Sequence, residues 1–348
     1  MKKNIRYQLL FTSILSCFLL GFSCGKSVEP VELPKDYTAY FRDGFRSDSN
    51  WYYAYHPSTN TIDSIFLPFA FPPQVSANCK KQYIRAGFSS SVAVLETDSF
   101  TVINYLPYDA VLSVSPDNKL IFAWLNNGMY LLKTSDYSVL YQDSTIGSGE
   151  FSYDGKRLYG LSNNGREIHR IELADSIYES AQFNVPFGFV RDFKISKNQK
   201  KIFFYLIAGF RLEFFVVYDI ARDSIIFQEA QQPGYGEIEL SPDGKYAFYT
   251  DPGQGMLGAG GPGWISVYDV ASNKVLTRIT TEGVLEPPYE LVAPIREISV
   301  TPDGRWLVAL PDLSTIGVVF AADIRKLAVL KYNKCGSWLS GLTTQNAP

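Results

Sequence analysis

From Tyr37 onward the chain is written in short apolar runs separated by clusters of Gly, Pro, Asn, Asp and Ser, and none of these runs shows helical spacing. Glu237 to Leu240 and Tyr246 to Tyr249 flank Ser241-Pro242-Asp243-Gly244-Lys245, and Trp264 to Val270 and Lys274 to Ile279 flank Ala271-Ser272-Asn273. Short runs rich in Val, Ile, Phe and Tyr predict strands, and the polar clusters predict the turns between them. In the first cluster Pro presets the turn, Asp accepts a local backbone hydrogen bond, and Gly takes a positive φ. Four short antiparallel strands thus succeed one another before the pattern restarts.

The turn phrase recurs as Ser115-Pro116-Asp117-Asn118-Lys119, Ser152-Tyr153-Asp154-Gly155-Lys156, Ser196-Lys197-Asn198-Gln199-Lys200, Ser241 to Lys245 and Thr301-Pro302-Asp303-Gly304-Arg305, at spacings of 37, 44, 45 and 60 residues. Such a period marks a repeat architecture. Upstream, Val75 to Lys81 holds the same hairpin slot before Gln82 to Ala86, and Trp51 to His56 with Thr61 to Leu67 reads as the last two strands of another repeat. The fold class expected is therefore all-β, a single β-propeller of four-stranded antiparallel blades over residues 37–335. Beyond residue 36 the length divides into seven blades of about 45 residues, with six and eight also compatible.

The S-P-D-G-K turn leading into an apolar strand resembles the propeller repeats of TolB-type and YVTN/WD-like bacterial proteins. Strict WD signatures are missing, although Tyr218-Asp219 and Tyr268-Asp269 hold the comparable third-strand position. The resemblance implies an architecture and no single activity, because such propellers serve as enzymes, scaffolds and receptors.

Lys2, Lys3 and Arg6 precede an apolar run from Leu9 to Phe22, too short to span a bilayer comfortably, so residues 1–23 read as a secretory signal. Gly21-Phe22-Ser23-Cys24 resembles the lipobox of bacterial lipoproteins, which implies lipidation of Cys24; Gly21 departs from the usual Leu. Cutting instead before Cys17 would leave Phe18 to Phe22 as an apolar terminus, and ordinary cleavage nearby is the alternative to lipidation. Pro30 and Pro34 make 24–36 an extended tether, and 336–348 reads as a C-terminal tail. The expected location is the bacterial cell envelope, anchored to a membrane through lipid and facing the periplasm or outer membrane.

Composition supports a folded chain, with 46% hydrophobic, 15% aromatic and 19% charged residues. Beyond the leader there are 29 basic against 35 acidic residues and no basic stripe, so nucleic-acid binding has no support. His56 and His169 fall in different repeats, which leaves no zinc cluster and no Ser-His-Asp arrangement; no cofactor is expected, and the chain reads as monomeric. Cys79 and Cys335 emerge at opposite ends of their blades, so no disulfide is expected between them.

In a four-stranded meander the first and third turns share one end, and the second turn and the interblade connection share the other. The Asp-Gly hairpins therefore lie together, and Asp117, Asp154, Asp243 and Asp303 read as turn-formers. The longest repeat gains its extra residues in Asp251 to Gly263 and Glu282 to Pro294, both on the opposite face, where long loops on a rigid scaffold place binding. Asp251, Met256, Leu257, Trp264, Glu282, Glu286, Tyr289 and Glu290 are the contacts expected there, with Tyr108 and Tyr235 from other interblade segments; Phe187 and Phe189 read as packing between blades. The function expected is that of a noncatalytic binding or scaffold module for a protein or glycan partner. The alternative is a propeller hydrolase or lyase acting on a sugar or lactone with carboxylates in the central funnel, which two acids from any two blades could supply.

Overall fold

The computed structural model describes residues 37–43, 51–56, 61–66, 74–75, 80–85, 91–97, 99, 101–126, 128–174, 177–185, 187–209, 212–231, 236–251, 264–280, 295–301, 304–311, 318–324, 328–334 and 339–346. All of them belong to one compact unit, Pro34–Pro348. The signal segment, Cys24, the tether, Cys79 and Cys335 lie outside the described residues.

Every regular element among the described residues is a strand, and the strands form seven four-stranded antiparallel sheets. Six follow chain order. Blade 2 is Gln74–Val75, Lys81–Arg85, Val92–Glu96 and Thr101–Leu106; blade 3 is Ala110–Val114, Leu120–Leu125, Gly128–Lys133 and Val139–Asp143. Blade 4 is Ile146–Phe151, Arg157–Ser162, Glu167–Leu173 and Ile177–Asn184; blade 5 is Phe189–Ile195, Lys201–Ile207, Glu213–Asp219 and Ser224–Gln231. Blade 6 is Ile238–Leu240, Tyr246–Asp251, Trp264–Asp269 and Lys274–Thr280; blade 7 is Ile295–Val300, Trp306–Pro311, Val318–Asp323 and Ala328–Lys334.

Blade 1 is assembled from both ends of the chain. Leu339–Asn346 pairs antiparallel with Tyr37–Asp43, which continues to Trp51–His56 and Thr61–Phe66. This corrects the expectation of a tail over 336–348. Without that strand, Tyr37–Asp43 would turn an unpaired row of backbone donors and acceptors toward the middle of the ring, and pairing removes the cost.

The inner strand of each blade lies beside those of its neighbours, around a central channel; the inner strands of blades 4 and 5 stand further apart than those of blades 3 and 4 or of blades 5 and 6. Second and third strands are covered on both faces by adjacent blades. That explains continuous apolar runs such as Lys201–Ile207, buried at its five central positions, whereas the outer strand Ile177–Asn184 stays largely open to water. The core is consequently divided into layers between blades. Tyr159, Ile168, Phe193 and Phe204 fill the seam of blades 4 and 5, and Phe203, Phe215, Tyr249 and Tyr268 fill that of blades 5 and 6.

The recurring turn works as its residues predict. Positive φ falls on Asn118, Gly155, Gln199, Gly244 and Gly304, the fourth residue of each phrase. Ser115, Ser152 and Ser241 each donate a hydroxyl to the Asp two residues on, at 2.7, 2.7 and 2.6 Å, and that Asp accepts the amide of the following Lys. These bonds offset the cost of partial burial and hold the carboxylates of Asp117, Asp154 and Asp243 below their ordinary range. Their oxygens are spent on the turn, as a structural role requires.

Candidate functional site

Of the residues expected on the long loops, Asp251 and Trp264 are described. They are cross-strand partners at the root of the loop 252–263. Asp251 is buried, and Trp264 is half-buried with the Arg278 guanidinium 5.1 Å from its ring centroid. Tyr108 is also buried, its ring 5.4 Å from that of Tyr130, so it is a core residue and not a rim contact. Met256, Leu257, Tyr235, Glu282, Glu286, Tyr289 and Glu290 lie outside the described residues.

On the same end of the propeller, a pocket of about 370 Å³ opens over the seam of blades 4 and 5 and reaches blade 3. Trp124 and Phe189 supply aromatic surface, and Ser148, Ser162, Asn163 and Asn164 supply hydroxyl and amide groups. The lining carries no ionisable side chain. Its backbone is fixed by close approach: a Cβ on Gly147 would come within 2.4 Å of Asn163 Oδ1, whose amide donates to the Ser144 carbonyl at 2.8 Å.

The second turn of blade 4 reuses the repeat phrase with Asn in place of Asp. Ser162 donates to Asn164 Oδ1 at 2.7 Å, the Arg166 amide donates to the same oxygen at 2.9 Å, and Gly165 takes φ +67. The Val190 amide donates to the Gly165 carbonyl at 2.7 Å, which ties the inner strand of blade 5 to this turn across the seam. Phe187 and Phe189 are 43% and 45% exposed, which corrects the expectation that they pack between blades. Between them Gly188 has φ +71, and a Cβ there would lie 2.2 Å from the Ile207 carbonyl oxygen, so the backbone presses on blade 5 while both rings face outward. The Trp124 indole Nε1 is buried without a hydrogen-bond partner among the described residues.

At the other mouth the inner strands carry charge. Counting back two residues from the turn Ser or Thr gives Ser113, Glu150, Lys194, Glu239 and Ser299; counting back four gives Val111, Ser148, Asp192, Glu237 and Glu297. Lys194 Nζ stands 3.9 Å from Glu150 Oε1 and 3.6 Å from Glu239 Oε1. Burial, with Glu239 and Asp192 nearby and Lys194 opposing, pushes the Glu150 carboxyl up to about 7. Burial likewise raises Asp192 and Glu239 against the pull of Lys194, and raises Glu237 well above the carboxylate range with Glu297 beside it. Lys194 is held charged, its affinity for the proton raised first by Glu239 and then by Glu150.

A cavity of about 320 Å³ opens above this trio, rimmed by Tyr153, Lys197 and Pro242. Two acids do meet in the funnel. Both, however, stand within 4 Å of the Lys194 ammonium and are engaged as ion-pair partners. No group of three metal-ligating side chains converges among the described residues.

The fold defines the chain as a β-propeller protein. No protein-family model matches it, and no curated protein matches it. Among solved structures it is similar to a putative 6-phosphogluconolactonase from Bacteroides uniformis, at 14% identity and TM-score 0.63, covering 90% of this chain and 100% of that one. A putative 6-phosphogluconolactonase from Bacteroides fragilis is similar at 17% identity and TM-score 0.61, covering 92% and 100%. Hydrazine synthase from Kuenenia stuttgartiensis is similar at 16% identity and TM-score 0.60, covering 76% and 79%. At these identities the likeness is one of fold.

Proposed function

We propose that this protein is a noncatalytic, envelope-tethered propeller that binds a neutral glycan in the pocket between Trp124 and Phe189. The observation that carries the proposal is the lining itself: two aromatic rings and a set of amides and hydroxyls, with no ionisable side chain to act as acid or base. A sugar ring presents an apolar C–H face to stack on an aromatic and hydroxyls that bond to Asn and Ser. The loops 252–263 and 281–294, with Trp264, Glu282, Glu286, Tyr289 and Glu290, leave strands that end on the same face and would extend the contact surface.

Calorimetric titration with maltotetraose and chitotetraose tests this. At least one should bind, and Trp124→Ala should weaken binding at least about tenfold, as truncation of a central aromatic anchor does. Phe189→Ala, at a half-exposed position, should weaken it without altering thermal unfolding. Binding of neither sugar, with capture of an envelope protein that Phe189→Ala abolishes, would replace the glycan with a protein partner. For the anchor, Cys24→Ser should move the protein from the membrane pellet to the soluble envelope fraction; a variant that still pellets would reject lipidation at Cys24.

A further inference from the structure

The pocket and the channel charges share two strands. Ile146–Phe151 carries Gly147 and Ser148 in the pocket and Glu150 in the channel; Phe189–Ile195 carries Phe189 and Val190 in the pocket and Asp192 and Lys194 in the channel. These are the inner strands of blades 4 and 5, which stand apart. Across their seam, a backbone hydrogen bond from Val190 to the Gly165 turn holds the pocket end, and the Glu150–Lys194 ion pair spans the channel end.

We propose that loss of charge on Glu150 loosens this seam and lowers the ligand affinity of the pocket at the opposite mouth, so that ligand binding is linked to proton release from the channel. The inference rests on reading that pocket as the ligand site.

The groups facing Glu150 are Lys194 and Asp192 from blade 5 and Glu239 from blade 6, with Glu237 and Glu297 deeper in the channel and Lys197 at the cavity rim. Blade 3 contributes the uncharged Ser113. With Glu150 ionised, its attraction to Lys194 draws the two inner strands together and fixes the spacing of Ser148 and Val190. Protonation removes that attraction and leaves Lys194 to Glu239 and Asp192. The carboxyl of Glu150 titrates near neutrality, so the change falls in an accessible range.

Chitotetraose and maltotetraose affinities measured between about pH 6 and pH 8 provide one arm. Affinity of the wild-type protein should fall about fivefold on acidification, a typical coupling magnitude, and Glu150→Gln should show the low value throughout. The second arm needs no ligand: the Trp124 indole N–H signal in the nuclear magnetic resonance spectrum, assigned with Trp124→Phe, should titrate near pH 7 in the wild type and stay fixed in Glu150→Gln. Should that variant fold poorly, Glu150→Ser takes its place, since Ser113 holds the same register position in blade 3. Parallel pH profiles in wild type and variant, in either arm, overturn the linkage. If neither sugar binds while the indole titrates, the sugar reading fails and the coupling stands.

Discussion

Replacing Lys194 by alanine should destabilise the protein by about 3 kcal/mol at pH 8 and by much less at pH 5, the low end of the cost of stripping a partly buried ion pair of one partner. Lys194 has its proton affinity raised in the folded state by its acidic neighbours, so its contribution is complete where they are ionised and pH is below the ordinary lysine range; it is lost as pH rises through its higher folded value and fades on the acid side as they take up protons. The carboxyls of Glu150, Asp192 and Glu239 are raised in the same state. Between the ordinary carboxylate range and neutrality the native protein therefore holds protons that the unfolded chain has released, and stability falls as pH climbs through that window. Without the ammonium nothing offsets the charge these acids acquire above it. At pH 5 Glu150 is neutral and no longer needs an ammonium, and the raised Asp192 and Glu239 need it less. Urea unfolding at both pH values checks this; an equal loss at each would mean that Lys194 acts through the packing of its methylene stem.

Phe215→Ala should cost about 4 kcal/mol, the usual price of emptying a buried aromatic site. The ring is fully buried and stacks on Tyr249 with centroids 3.7 Å apart and planes 4° apart. Phe203, Tyr205, Phe227 and Tyr268 crowd its remaining sides. Tyr249 belongs to blade 6, so the cavity would loosen a seam and not merely one sheet, and partial collapse is hindered because the surrounding rings are rigid. Phe215→Leu keeps most of the volume and should cost roughly 1 to 2 kcal/mol. Thermal unfolding followed by near-ultraviolet circular dichroism reads both losses, and an alanine variant melting with the wild type would show that the layer between blades 5 and 6 contributes little.

Much of this architecture is legible because its signals are local. Ser241 to Lys245 contains its own hydrogen bonds and its own positive φ, so the hairpin is specified by five adjacent residues. Even Gln199, which lacks the usual glycine or asparagine, adopts the same conformation because Ser196 and Asn198 keep the turn's hydrogen bonds. Leu339–Asn346 is different: it has few apolar residues, and its partner Tyr37–Asp43 lies at the other terminus, so only long-range pairing identifies it.

The pocket shows the same limit. Trp124, Asn163, Asn164 and Phe189 come from three blades, and none sits in a loop of unusual length. Attention to long loops therefore points elsewhere on that face. The channel charges were within reach of the sequence, because Glu150, Lys194 and Glu239 each stand two residues before a turn serine. Once the turn is recognised, stepping back from it reads out the ring of groups that faces the axis.

The assembly of blade 1 has a consequence for how the chain is made. Leu339–Asn346 is synthesised after the strands of blades 2 to 7, and it lies against Tyr37–Asp43, which precedes them all. A nascent chain that has already formed blades 2 to 7 still presents the bare edge of Tyr37–Asp43. Closure must wait until Leu339–Asn346 has itself emerged from the ribosome or from a translocation pore. A message truncated before Leu339 would yield an arc with an open strand edge, ready to recruit a second copy of itself.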